Sequence, residues 1–358
     1  MMKIGLLQEG DITGTTVYKR YHELIDEVAL ADQLGFSTWG TSEQHFSPPS
    51  FSVSAPEVLY AAIAMRTSNI KLRTMASIML KWNHPITVAE RLATLDIVSQ
   101  GRAEITTGRS NNLTTLEAFG VDPKETRDQW EDSMDVLMKI FAQDRLEHDG
   151  PFWKIPSVEV VPKPITNPHP PVSVAASSVQ SHINAAERGI GVISFESYFG
   201  FEYLQELLDA YREAFDSADH SRVVAPNDYR GLYVATAYCA ETKEEAREVA
   251  RNVAMEYFKF MLDLAIPLAK NPNYAYLDSI EQLIEHQNDL DWLMEFTPSV
   301  MIGTPDDFIK RIERLENMGI DEVLLRIDGV GHENIKRSLE LIGREVIPAV
   351  STKQVLSR

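Results

Sequence analysis

Only one cysteine, Cys239, occurs among the 358 residues. No disulfide can form within the chain, and a cysteine-ligated zinc or iron–sulfur centre is excluded. Such usage fits a reducing compartment, and the cytoplasm is the expected location. Cations are also scarce: 34 Lys and Arg stand against 53 Asp and Glu, a net charge of −19. A surface of that sign repels phosphate backbones and anionic lipid, so neither nucleic acid nor membrane is an expected partner. No stretch approaches the ~18 consecutive apolar residues of a membrane-spanning helix. The opening residues reach Glu9 too soon for a signal peptide. The P-loop, the Gly-x-Ser-x-Gly elbow and the His-Glu-x-x-His helix are all missing. Gly189-Ile190-Gly191 looks like half a dinucleotide fingerprint, but it runs from helix into strand, the reverse of the required order.

What is present is regular alternation. Short apolar runs at 3–8, 37–41, 71–80, 102–107, 172–175, 191–195, 229–239 and 323–327 read as strands. Helical periodicity fills the intervals, as in Tyr21, Leu24, Ile25, Val28 and Ala31 ahead of Gly35. Thr304-Pro305 opens a further helix that Gly319 closes. A hairpin is expected around Asp149-Gly150, with arms at 144–148 and 152–155, followed by a proline-rich loop at 156–171. Eight β-α units predict one closed (β/α)8 TIM barrel over 1–358, with an open doubly wound sheet as the alternative. Residues 242–297 are about two helices too long for one connection and read as an insertion, with a mobile lid expected at 267–278.

In a barrel, chemistry gathers beyond the C-terminal ends of the strands. Glu43, Gln44, His45 and Phe46 follow the second strand, and Met79, Trp82 and His84 follow the third. Two histidines on adjacent strand ends suit acid–base work near neutrality; each equally suits a hydrogen-bonded loop position. Metal binding by these histidines and Glu43 lacks any close two-ligand spacing, so no metal is expected. Arg109 follows the fourth strand, and Ala176, Ser177, Ser178 and Ser181 lead from the fifth into a helix. Hydroxyls at a helix N-terminus beside an arginine fork can hold a phosphate; ordinary capping accounts for the serines equally well. Phe46, Trp82 and Phe195 are candidate pocket walls, while Met79 reads as packing.

Glu43-Gln44-His45-Phe46, Asn83-His84-Pro85-Ile86, Leu95-Asp96-x-x-Ser99-x-Gly101-Arg102, Gly108-Arg109, Ala118-Phe119-Gly120, Ala185-Ala186-Glu187-Arg188-Gly189 and Gly303-Thr304-Pro305 occur in this order. With these stretches the chain resembles the bacterial luciferase-like flavin monooxygenase family. The resemblance implies a (β/α)8 barrel and reduced FMN as cosubstrate, with a deazaflavin as the alternative. It implies phosphate contacts from Arg109, Ser177, Ser178 and Ser181. It also implies a non-proline cis peptide, placed by position at Ala76–Ser77, under the flavin ring. A separate flavin reductase, oxygen, a small organic substrate and a homodimer paired through 55–66 and 85–99 follow from the same resemblance. Luciferase has two successive histidines after the glutamate; here Gln44 occupies the first position, and His45 takes over the acid–base expectation, with His84 beside it. Three rival readings stand: a deazaflavin oxidoreductase, a non-catalytic flavin-binding partner subunit, and a glycoside hydrolase built on Glu43 and Glu196.

Overall fold

Strands buried on both faces need side chains that are apolar almost throughout, and eight such segments close on one another here. The computed structural model describes residues 2–110, 112–196, 198–269 and 280–352. Its strands are β1 (Lys3–Leu7), β2 (Thr38–Thr41), β3 (Lys71–Ile78), β4 (Ala103–Gly108), β5 (Arg145–Asp149), β6 (Lys154–Glu159), β7 (Val172–Ala176), β8 (Gly191–Ser194), β9 (Arg230–Val234), β10 (Thr236–Cys239), β11 (Val300–Gly303) and β12 (Glu322–Leu325). The order β1-β12-β9-β8-β7-β4-β3-β2 forms a closed barrel, parallel throughout. The expected (β/α)8 barrel is therefore the fold.

The helices start and stop where the sequence punctuates them. In Val17–Leu34, the Thr16 side chain accepts from the Lys19 amide, and Gly35, at φ 85°, ends the helix. Thr304 and Asp307 form a reciprocal capping box on Pro305–Met318, which Gly319 closes at φ 100°. In the β5–β6 hairpin the first arm is shifted by one residue from the expected 144–148, the second runs on to Glu159 into the expected loop, and the turn spans residues 150–153. Asp132 fixes it by accepting the Phe152 and Trp153 amides, each at 2.9 Å.

Two features depart from the sequence reading. The apolar run 229–239 is not one strand. It leaves the barrel after Val234, and β10 pairs in parallel with β11 as a separate two-stranded ribbon. Arg326 sits at the parting: its amide donates to Val234 O, and its carbonyl accepts from the Ala237 amide. The insertion 242–297 contains helices Lys243–Ala265, Ile280–Glu285 and Leu290–Phe296. Most of the expected lid, 267–278, lies outside the described residues. The second departure is a slip of one residue at the cis peptide, which joins Met75 to Ala76 and not Ala76 to Ser77. Ala76 is the residue left over in the register between β3 and β4, where Met75 faces Thr106 and Ser77 faces Thr107. No helix among the described residues is long and apolar enough to cross a membrane.

Candidate active site

The C-terminal ends of β1, β2, β3, β4, β7, β8 and β9 surround a cavity of about 1500 Å³, part of it open to solvent. The insertion helix Lys243–Ala265 adds Tyr257, Met261 and Leu264 to the wall, and helix Thr126–Ala142 adds Arg127, Trp130 and Glu131. Of the residues singled out from sequence, Glu43, Gln44, Ala76, Arg109, Ala176, Ser177, Ser178, Ser181 and Phe195 line it.

One end of the cavity has the features that an anion site requires. Helix Val179–Glu187 begins there, capped by Ser178, whose hydroxyl accepts from the Ser181 amide while Ser181 Oγ accepts from the Ser178 amide. The capping reading of these serines is thus correct. It is compatible with the anion-binding expectation, because amides of a first helical turn lack partners within the helix and carry the positive end of its dipole. His182 fixes this turn from below. Its Nδ1 donates to Ser178 O at 2.9 Å, and Nε2, 2.9 Å from Ser194 Oγ, is left as the acceptor. Burial holds this imidazole neutral down to about 4, against the opposing Ser178 contact. Arg109 shares the cavity wall with the cap.

The floor beside that end is flat because its residues are small. Ala76, Gly108, Ala175 and Ala176 all line it. A Cβ at Gly108 would lie 2.8 Å from the Ala76 Cβ, so glycine is needed where Ala76 bulges from the ladder. Ser77 does not share the floor. The bulge ends at Ala76, and Ser77 Oγ donates to Thr74 Oγ1 at 2.9 Å instead.

Glu43 is held rigidly. It accepts from Trp82 Nε1 at 2.8 Å and Asn83 Nδ2 at 2.6 Å, and faces His45 Nε2 at 3.1 Å. His45 itself is outside the lining; its ring packs edge-on against Phe119, with centroids 5.0 Å apart. His84 is taken up as a helix cap, its Nδ1 accepting from the Ile86 amide, and its ring packs against Trp153. Burial lowers its pKa. Two of the three expected walls are also displaced. Trp82 stacks on Phe119 at 4.7 Å, and Phe46 is 62% exposed. Met79 is core, as expected. Glu196 is buried away from the cavity, accepting from the Gly200 amide and Thr297 Oγ1, so it forms no carboxylate pair with Glu43. The glycosidase reading falls with it. Among the described residues no group of His, Cys, Asp and Glu is placed to hold a metal ion.

The opposite end of the cavity escaped the sequence reading. Glu9, immediately beyond β1, lines it with Tyr233 and Tyr257. Glu9 accepts from Ser42 Oγ at 3.0 Å, Tyr233 OH at 3.3 Å and Tyr257 OH at 3.2 Å. Burial pushes its carboxyl up to about 7, against the pull of Arg326 and the hydroxyls. The rule that sites lie at strand ends applies to the first strand as to the others, and it would have found Glu9.

A floor of small residues beside a helix N-terminus, at the C-terminal mouth of a parallel barrel, places the candidate site where (β/α)8 proteins carry their chemistry. The chain belongs to the luciferase-like monooxygenase family, whose model matches residues 2–322. It is 27% identical to the oxygenase component of the flavin-dependent trigonelline monooxygenase of Acinetobacter baylyi, over 94% of this chain and 91% of that one. Its fold matches monooxygenase RslO1 of Streptomyces bottropensis at a TM-score of 0.82, with 24% identity, covering 98% of this chain and 100% of that one. It matches the oxygenating constituent of 3,6-diketocamphane monooxygenase of Pseudomonas putida, solved with FMN, at 0.77, with 21% identity and coverage of 97% and 98%. The coenzyme F420-dependent tetrahydromethanopterin reductase of Methanopyrus kandleri shares the fold at 0.69, with 18% identity and coverage of 97% and 99%.

Proposed function

We propose that this protein is the oxygenase component of a two-component flavin monooxygenase, which takes reduced FMN from a separate reductase and uses oxygen to oxygenate a small organic substrate. The observation that carries the reading is the union of an anion-binding helix end, Arg109 and a flat floor in one cavity. The residues present fit FMN. Ser177, Ser178, Ser181, the first-turn amides of helix Val179–Glu187 and Arg109 would hold the phosphate, and Ala76, Gly108, Ala175 and Ala176 would lie along the ring. Bound FMN supplies the redox and oxygen chemistry. The chain's part is orientation and exclusion of water, the latter aided by Tyr257, Met261 and Leu264 of the insertion helix. Glu43 and Gln44 present acceptor and donor groups from the wall, and Gln44 cannot take up a proton at neutral pH. His45 acts through Glu43 as a positioning residue, and His84 sets the start of helix Pro85–Val98.

Titration with FMN, reduced FMN and a deazaflavin, followed by mixing with oxygen, tests this reading. Preference for the deazaflavin, with no oxygen consumed, replaces it with the hydride-transfer alternative. FMN binding without turnover of any organic substrate leaves the partner-subunit alternative. Arg109→Ala is expected to weaken FMN binding by about 1.5–3 kcal/mol, the worth of a charge-assisted hydrogen bond. Riboflavin, which has no phosphate, should bind parent and variant alike; equal FMN affinity in the two proteins would remove Arg109 from the clamp.

The family resemblance also points to a homodimer. Val58 and Met65, at helix Pro56–Ala64, are 75% and 74% exposed, and Ile97 and Val98, at the end of helix Pro85–Val98, are exposed as well. Apolar side chains on two neighbouring helices suit a two-fold contact. Light scattering is expected to show a particle of twice the chain mass; one of 40.4 kDa at micromolar concentration would rule the dimer out.

A further inference from the structure

The Glu9 end of the cavity belongs to a buried charge network that lacks one cation. Arg20 pairs with Glu27 at 2.7 Å and Asp328 at 3.1 Å, and Arg326 pairs with Asp11 at 3.0 Å. Asp328 also accepts the Glu9 amide at 2.8 Å. His332, 2.8 Å from Glu27, provides a third positive charge when protonated. Two guanidinium groups and one imidazolium then face four carboxylates: Glu9, Asp11, Glu27 and Asp328. Arg326 Nε lies 3.4 Å from Glu9 Oε2 but makes no hydrogen bond, and the guanidinium stacks on the Tyr257 ring at 3.9 Å. Of the four carboxylates, Glu9 alone lines the cavity among the described residues. Asp11 opens on a separate cleft beside Arg20 and His332, so on the cavity side the positive charge can be supplied at Glu9, as a proton or as a ligand.

The surroundings suit a ligand of that sign. Phe51, Phe195, Tyr233 and Tyr257 line the same end. Phe195 packs on Tyr233 with centroids 4.6 Å apart, and Phe51 on Tyr257 at 6.0 Å. Aromatic faces around a carboxylate stabilise an organic cation through the ring quadrupoles and direct charge attraction. We propose that this end of the cavity binds the substrate and selects an organic cation, such as a protonated amine or an N-alkylated heteroaromatic ring. The inference rests on the flavin reading, which places the phosphate at the opposite end and leaves this end for the substrate. Among the described residues, the charged and titratable groups that act on Glu9 include Arg326, Asp328, Tyr233, Tyr257 and the buried Tyr198. A bound cation would take the place of the Glu9 proton.

The test is calorimetry on the FMN-saturated protein, with N-methylpyridinium as probe and toluene as its neutral isostere. Competition with a proton near neutrality makes N-methylpyridinium bind about tenfold tighter at about pH 8 than at about pH 6, with proton release on binding at the lower pH. Toluene should show no such dependence. In Glu9→Gln the pH dependence should vanish and the cation should bind at least about tenfold more weakly, with toluene unaffected. Equal affinity of the parent for N-methylpyridinium at both pH values, or binding no tighter than that of toluene, overturns the proposal. The parent's own pH profile decides this even if Glu9→Gln does not fold. The FMN titration that precedes calorimetry reports separately: failure there overturns the flavin reading, whereas failure of the cation arm alone overturns this inference.

Discussion

Glu322→Ala is expected to lower the unfolding free energy by about 3–5 kcal/mol, the cost of leaving a buried charge without its partner. The side chain closes the N-terminal end of the barrel. Its Oε2 accepts from Arg73 Nη1 at 2.8 Å and from Tyr229 OH, and its Oε1 from Thr38 Oγ1 at 2.7 Å and from Ser37 Oγ. Arg73 also donates to Glu104 and stacks on Tyr229 at 4.7 Å. Burial raises the Glu322 pKa, but Arg73 and the three hydroxyls outweigh it and hold the carboxyl below its usual range. Removing the carboxylate leaves Arg73 buried with Glu104 as its only carboxylate partner among the described residues. Replacing the whole triad together, as Arg73→Met with Glu104→Leu and Glu322→Leu, should recover most of the loss, because no buried charge is then left without its partner. Urea unfolding measures both proteins. Affinity for FMN should be unchanged in the folded fraction, since the network lies at the opposite end of the barrel from the cavity. A loss in Glu322→Ala below about 1 kcal/mol would mean that water or Glu104 already satisfies Arg73.

A second large effect is hidden by cancellation. The His182 imidazole is held neutral down to about 4 in the fold, against 6.5 for a free side chain. Between these values the unfolded chain takes up the proton first, so falling pH favours unfolding. The stabilisation is complete above about 6.5 and is lost on the way to 4, roughly 3 kcal/mol in all. Glu9 has the opposite sign. Its carboxyl titrates at about 7 in the fold and 4.5 when free, so the folded state keeps a proton that the unfolded state has given up. Stability then falls as pH rises through that window, again by roughly 3 kcal/mol. Relative to the parent, His182→Gln should gain stability as pH falls from about 6.5 to 4, and Glu9→Gln should gain it as pH rises from about 4.5 to 7. Denaturant unfolding of the three proteins at several pH values separates these slopes from any constant packing loss. Curves that run parallel to the parent's across both windows would show that neither group is perturbed by burial.

Much of this molecule could be read from local pattern. Eight apolar runs spaced by helical periodicity called for a parallel sheet, because each β-α unit carries its own strand direction and its own caps, and their number favoured a closed barrel over an open doubly wound sheet. Thr304, Asp307 and Gly319 mark one helix through backbone hydrogen bonds that involve only near neighbours. Ser178 and Arg109 were legible for a similar reason: positions just past a barrel strand face the mouth.

What the sequence could not determine depended on partners far along the chain. The imidazoles of His45 and His84 follow strands, as site residues do, but Glu43, Phe119 and Trp153 draw them out of the cavity wall. Trp82 follows the same course, since Glu43 and Phe119 offer it both a hydrogen bond and a stacking face. The run 229–239 has the composition of one strand; it is divided only because Arg326, nearly ninety residues later, takes both its neighbouring backbone contacts and leaves β10 to pair with β11. Glu9 is an ordinary acidic residue in the sequence. Its altered acidity exists only where β1, β9, β12 and the insertion helix converge, because burial and the network around Arg326 act on it through space and not along the chain.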